Sequence, residues 1–324
     1  MNHRLRFGAA IVVATTTAIA IALPWLVANH LLLLTHILIT GLFALSLDLI
    51  LGVAGLVSLG HAAFFGIGAY AAGLLSKHLT PDPVIGLVLA SAIAGLAGLL
   101  SSPLVVRGSD LSRLMVTLGF SLLLYEAANR AGGLTGGADG LQGIVMGPVL
   151  GLWTFDMLGR TGYLYVLAVV LLVVLLTRVV LGSELGVSLR AIHDQARRAT
   201  AMGINVPARL SGIYFLAAAL AGTAGALMAH TTQFVGLDIF SFAKSAEILV
   251  ILIVGGVGLR WGGFAGAAVY LVAHEKLSAV APQYWNFWLG LLLILLVLFV
   301  PNGVLGGLSA LRQRFATLDQ GRPE

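Results

Sequence analysis

Cysteine is absent from the 324 residues, so disulfides, Cys-ligated zinc, iron–sulfur clusters and thiol nucleophiles are excluded. Charge is scarce. Asp, Glu, Lys and Arg make up 10% of the chain against 59% hydrophobic residues, and the mean hydropathy is +1.02. A chain of that composition cannot keep its surface in water and reads as a polytopic membrane protein. The pattern GxxxxGK[ST] is missing, so the chain carries no phosphate-cradling loop of its own. HExxH and GxSxG are missing as well, which argues against an intramembrane metalloprotease or an elbow-type serine hydrolase. No His/Asp spacing reads as a metal site, and no cofactor is expected. The formal charge of +5 is spread over loops rather than gathered on one basic surface, which speaks against nucleic acid. What the chain has in excess is glycine, 41 residues, and small residues in apolar helices suit close helix–helix contact.

A bilayer core about 30 Å thick needs about 20 apolar residues as helix. Runs of that kind fall at 9–28, 31–52, 56–76, 84–106, 112–131, 162–181, 209–230, 244–259, 262–277 and 285–301. The eighth and ninth are short and are separated only by Leu259-Arg260-Trp261, as in broken or partly re-entrant segments. The expected fold is therefore an all-α bundle of about ten transmembrane helices, between eight and ten. With Arg4 and Arg6 inside, Arg107, Arg113, Arg178, Arg190, Arg197, Arg198, Arg209, Arg260, Arg312, Arg314 and Arg322 join them on one side. Only Lys77, Arg130, Arg160, Lys244 and Lys276 fall on the other, so both termini are expected in the cytoplasm. The first run reads as an uncleaved span, although Ala20-Ile21-Ala22 keeps a cleaved signal open. Residues 1–311 are expected to form a single transmembrane domain and 312–324 a cytoplasmic tail.

Few ionisable groups fall within the spans, where each carries an insertion penalty of about 2.5–3.5 kcal/mol. Glu126 and Arg130 are four apart, and Lys244 and Glu247 three apart, so local pairing near the headgroups accounts for both. Asp48 stands alone, either as a polar group facing the bundle interior or as a transport-coupled carboxylate. His61 lies in Ser58-Leu59-Gly60-His61-Ala62-Ala63-Phe64-Phe65-Gly66-Ile67-Gly68-Ala69-Tyr70. It is equally readable as a pathway group or as a structural histidine bonded to a neighbour. An offset of 200 aligns Gly55 with Gly255, Val57 with Val257, Leu59 with Leu259, Phe64 with Phe264, Gly66 with Gly266 and Tyr70 with Tyr270, a parallel echo if the two helices hold related places.

The inner loop 182–208 is polar and basic, and its middle reads as a short amphipathic helix. Leu189, Ile192, Ala196 and Ala199 share one face, Arg190, Asp194, Arg197 and Arg198 are polar, and Gly203 is a natural stop. Such a helix lies on the anionic leaflet or docks in a partner's groove.

The Ser58–Tyr70 stretch closely resembles the signature of LivM-type permeases of branched-chain amino acid ABC transporters, and the inner loop resembles their ATPase-contacting segment. Thr117-Leu118-Gly119-Phe120, the Thr135-to-Leu141 segment, Gly255-Gly256-Val257-Gly258 with Gly262-Gly263, and Phe299-Val300-Pro301-Asn302-Gly303-Val304-Leu305-Gly306 are similar to the family in order, over roughly residues 40–307. Asp48 and His193 depart from it, standing where Asn and Arg are more usual. The resemblance implies a passive importer subunit in a bacterial inner membrane. Its partners would be a paralogous permease, two cytoplasmic ATPases that bind the ATP, and a periplasmic or lipid-anchored solute-binding protein. It places solute-path candidates at Asp48, Ser58, His61, Phe64 and Tyr70, and ATPase-coupling candidates at Arg190, Asp194, Arg197 and Gly203. Related permeases for urea, short amides or other amino acids are the alternatives. An ion-coupled carrier working through Asp48, or an enzyme working through Ser58 and His61, would leave the 182–208 loop without a purpose.

Overall fold

The computed structural model describes residues 30–156, 159–259, 261–300 and 303–307. The expected first span, Arg260 and the 312–324 tail lie outside them. Among the described residues, ten helices of eight or more residues follow one another. They are α1 (Leu31–Asp48, continued by a π-helical turn Leu49–Val53), α2 (Ala62–His78), α3 (Pro83–Val106), α4 (Asp110–Arg130), α5 (Arg160–Gly182), α6 (Glu184–Ala201), α7 (Val206–Thr232), α8 (Phe242–Gly255), α9 (Gly262–Val280) and α10 (Trp285–Phe299). Only two isolated β-bridges, Leu141 with Val235 and Val149 with Trp153, occur among the described residues. By length and composition, six segments among the described residues suffice to cross a membrane: α1 with its π turn, α3, α4, α5, α7 and the stretch beginning with α10. The chain is thus an all-helical polytopic membrane protein. The third expected span is shorter than its hydropathy suggests, because 54–61 is irregular and α2 starts only at Ala62.

Helix boundaries follow from local chemistry. Asp82 accepts from the N–H groups of Val84 and Ile85 ahead of Pro83, and Ser109, Asn205 and Ser241 cap α4, α7 and α8 in the same way. The N–H of Thr161 donates to Asp156 Oδ1 at 2.9 Å at the start of α5. Partial desolvation pushes that carboxyl up, but the N–H groups of Thr161 and Arg160 outweigh it and hold it below the ordinary carboxylate range.

The connecting segments gather into two sets, one at each end of the bundle. One end collects the loops at 79–82, 131–156 and 233–241, tied together by Leu141–Val235 and by Gly147 N–H donating to Pro81 O at 2.8 Å. The other collects the irregular segment 54–61, residues 256–259 and α6, through the Gly258–Asp48 and His193–Gly55 contacts.

At the centre stands α7, on which α2 and α3 pack through small residues. Gly68 meets the Gly222 backbone, Gly225 meets the Phe65 carbonyl, and Gly98 meets Ala218. Backbones that close bring hydroxyls within reach across the seam: Ser91 with Thr223 at 2.8 Å and Ser102 with Ser211 at 3.0 Å. The echo at an offset of 200 is a shared helix–break–helix register, since α2 begins at Ala62 and α9 at Gly262. It does not extend to packing: α2 rests on α7 and α3, whereas α9 rests on α1 and α8.

Candidate functional site

Two helices, α2 and α8, start where the chain folds back along neighbouring helices. The chain leaves α7, forms the Val235–Leu141 bridge, and then dips inward so that the Phe240 carbonyl accepts from Ser121 Oγ, halfway along α4, at 2.7 Å. The Phe240 ring stacks on Tyr70 at 5.4 Å and abuts Gly66. Hence α8 starts level with the first turns of α2, and the N–H of Ala62 donates to Ser245 Oγ at 3.2 Å. On the other side of the α2 start, the N–H of Leu59 donates to Thr117 Oγ1 at 3.2 Å. These two side chains satisfy N–H groups that would otherwise be stranded in an apolar medium.

Lys244 and Glu247 pair at 3.0 Å, with both side chains largely buried. Glu126 and Arg130 pair at 2.6 Å on an exposed stretch of α4, as expected.

His61 is fully buried between Phe43, stacked at 5.8 Å, and the edge of Phe64. Its Nε2 lies 2.9 Å from Ser46 Oγ, and that hydroxyl already donates to the Phe43 carbonyl at 2.6 Å. Ser46 must therefore accept, which puts the proton on Nε2 and leaves Nδ1 without a partner. Ser58 is buried beside Tyr214, and Phe64 packs against Phe120 and Tyr214. Tyr70 lines an apolar cleft of about 680 Å³ between α2 and α4, with its hydroxyl unpartnered. Of the five path candidates, Ser58, His61 and Phe64 thus come together at the α2 start, Tyr70 lies two turns further on, and Asp48 sits apart.

Asp48 ends α1 where the helix widens into the π turn. Its Oδ1 accepts from the N–H of Gly258 at 2.7 Å, joining the α1–α2 break to the α8–α9 break. Gly52 leaves room for that carboxylate, since a Cβ there would strike Oδ1. The same group lines a cavity with Arg178, Thr177 and Trp261. An amide oxygen can replace Oδ1, so Asp48→Asn is expected to keep the unfolding midpoint of the purified subunit near that of the wild type. Asp48→Ala strands the Gly258 N–H at a cost of about 1–3 kcal/mol and is expected to lower the midpoint. Loss of transport in Asp48→Asn with the midpoint unchanged would instead mark the carboxylate as chemically active.

At the same end, α6 presents two faces. Leu189, Ile192 and Ala199 are buried against the bundle, while Arg190, Asp194, Arg197 and Arg198 are exposed. Ala196, expected on the apolar face, is exposed as well, because Gln195 leaves helical geometry (φ −160°, ψ 97°) and turns the last stretch. Arg190 does not pair with Asp194; its guanidinium donates to the Leu181 carbonyl at 3.3 Å and so closes the end of α5. Gly203 takes φ +85°, the left-handed stop expected of it. The His193 ring abuts Gly55, whose φ is +70°, in the break that follows α1. Sequence reasoning noted Thr117 only within the Thr117–Phe120 resemblance and did not single out Ser245, because nothing local distinguishes a serine that receives a distant N–H from one that faces lipid.

Residues 29–299 match the family model described as branched-chain amino acid transport system / permease component. The chain belongs to this family. Among its curated relatives, the high-affinity branched-chain amino acid transport system permease protein LivM of Salmonella typhimurium is 31% identical, over 89% of this chain and 72% of the relative. The LivM protein of Escherichia coli is 30% identical over the same shares. The LivH permease protein of Salmonella typhimurium is 24% identical over 82% of this chain and 90% of its own. No solved structure matches the chain. The resemblance read from the Ser58–Tyr70 stretch and the inner loop therefore holds, and the permease is similar to both members of the LivM and LivH pair.

Proposed function

We propose that this permease is the passive membrane subunit of an ATP-driven importer of leucine, isoleucine and valine, in a bacterial inner membrane. It would pair with a paralogous permease, receive solute from a binding protein, and draw energy from two cytoplasmic ATPases. The observation that carries this reading is α6. It is a helix docked by one face on a bundle whose sequence has no nucleotide-binding loop, with Arg197 and Arg198 turned outward at the end that holds both helix breaks. Motion of the ATPases would press α6 through His193 on Gly55, and from there through the π turn and Asp48 on the α8–α9 break. A permease of this kind need not bind its solute tightly, because selection can be done upstream by the binding protein, so Ser58, His61, Phe64 and Tyr70 need only shape the path.

The test is affinity purification from the native membrane, with ATP hydrolysis measured with and without solute-loaded binding protein. Recovery of a second permease and two ATPases, stimulated by a leucine-, isoleucine- or valine-loaded binding protein, is the expected result. Stimulation only by urea or an amide moves the substrate and keeps the architecture. Uptake by the chain alone in liposomes without ATP overturns the reading.

A further inference from the structure

Three ion pairs occur among the described residues, and their surroundings differ. In two of them at least one partner is open to the surroundings: Asp110 is 79% exposed beside Arg113 at 18%, and Arg130 is 81% exposed beside Glu126 at 50%. Only Lys244 and Glu247 are both largely buried, at 29% and 25% exposed, and they line a small cavity between α1 and α8, faced by His36 and Thr40 and walled by Phe43 and Phe65. Two opposite charges therefore stand beside aromatic surface in the first turns of α8. Charged groups enclosed in a membrane bundle are costly and mark pathways, and interrupted helices are where carriers place solute.

The order of the two residues is informative. Lys244 is in the first turn of α8 and Glu247 follows it, whereas both the helix dipole and the geometry of pairing favour an acid ahead of a base. Helix stability alone would have been better served by the reverse order.

We propose that Lys244 and Glu247 form a solute contact for the zwitterion of a branched-chain amino acid. The carboxylate is received by Lys244 Nζ, the ammonium by Glu247, and the aliphatic side chain by Phe43 and Phe65. This rests on the importer reading above. The exchange is electrically balanced: one ion pair opens, two form, and no net charge enters the bundle. In this conformation the cavity is about 50 Å³, room for water but not for an amino acid, so α1 and α8 must part to admit the solute. A neutral amide or urea would gain nothing from the opened pair, which ties the site to amino acids.

The experiment uses the complete complex in proteoliposomes, with leucine uptake and ATP hydrolysis measured together. Glu247→Gln and Lys244→Met are each expected to lower uptake by about tenfold or more, with stimulation of ATP hydrolysis by the loaded binding protein held within about twofold. The double variant K244E/E247K keeps both charges and suits the helix dipole better, yet reverses the site and is expected to lose uptake equally. Recovery of uptake by that double variant would make the pair structural, and near-normal uptake in all three would remove the solute contact; either overturns the proposal. If the single variants do not assemble, the charge-reversed pair decides alone. A wild-type complex that takes up no branched-chain amino acid would defeat the importer reading itself, a separate result.

Discussion

Gly225→Leu is expected to leave no folded permease in the membrane. Gly225 lies where α7 crosses α2, and a Cβ there would run into the Phe65 carbonyl and lie 3.0 Å from the Ala69 nitrogen. Both are backbone atoms of a buried helix, so no side chain can swing aside. Relief requires α2 to move away from α7, which would unseat the Ala62–Ser245 contact and open the seam at Gly68 and Gly222. Overpacking in a core with some give costs about 1–3 kcal/mol. Against rigid backbone and with a full leucine the loss should exceed about 4 kcal/mol, a large share of the stability of any domain. The measurement is the monodisperse fraction on size-exclusion chromatography in a gentle detergent. Gly290→Leu, on α10 where nothing lies within 4 Å, is the matching change that should behave as wild type.

Reversing charge on the outward face of α6 is expected to stop transport without disturbing the bundle. Arg197 and Arg198 are exposed and take part in none of the described ion pairs, so replacing both by glutamate should alter folding stability by no more than about 0.5 kcal/mol. If α6 seats in the groove of an ATPase that accepts this basic face, each reversed charge opposes docking, and like-charge juxtaposition costs several kcal/mol. The expected outcome is normal membrane levels, no co-purified ATPase, and uptake lowered by about a hundredfold or more. Arg190→Ala should do less, since that guanidinium closes α5 through the Leu181 carbonyl. Full retention of the ATPases by the doubly reversed permease would place the coupling surface elsewhere.

How much of this could be read in advance depended on whether the deciding physics was local. The stop at Gly203 is local, because only a residue tolerating φ > 0 ends a helix there without strain, and the amphipathic stretch before it needs nothing beyond its own spacing. The apolar runs show that helices exist but not at what depth they begin. Val57, Ser58 and Leu59 are no less compatible with a span than Ala62, Ala63 and Phe64, so the start of α2 is set by Thr117 and Ser245, 58 and 183 residues away. For the same reason the spacing of Lys244 and Glu247 shows that they pair but not what surrounds them, which depends on the turn at Phe240, held by Ser121 on another helix. Ala196 failed for a nearer reason: a periodicity count assumes continuous helix, and Gln195 interrupts it.

The seat of α2 and α3 on α7 also bears on how the chain is made. About a hundred residues separate the end of α3 at Val106 from the start of α7 at Val206. At about 5–20 residues per second, that is roughly 5–20 s of synthesis. During that time α2 is already in the bilayer with Gly68 facing no partner and with its first N–H groups awaiting Ser245, which comes later still. Release of the nascent chain helix by helix would leave the Gly68 face of α2 against lipid, so retention until α7 arrives is expected to favour folding, and a ribosome pausing between Gly182 and Val206 would lengthen that wait.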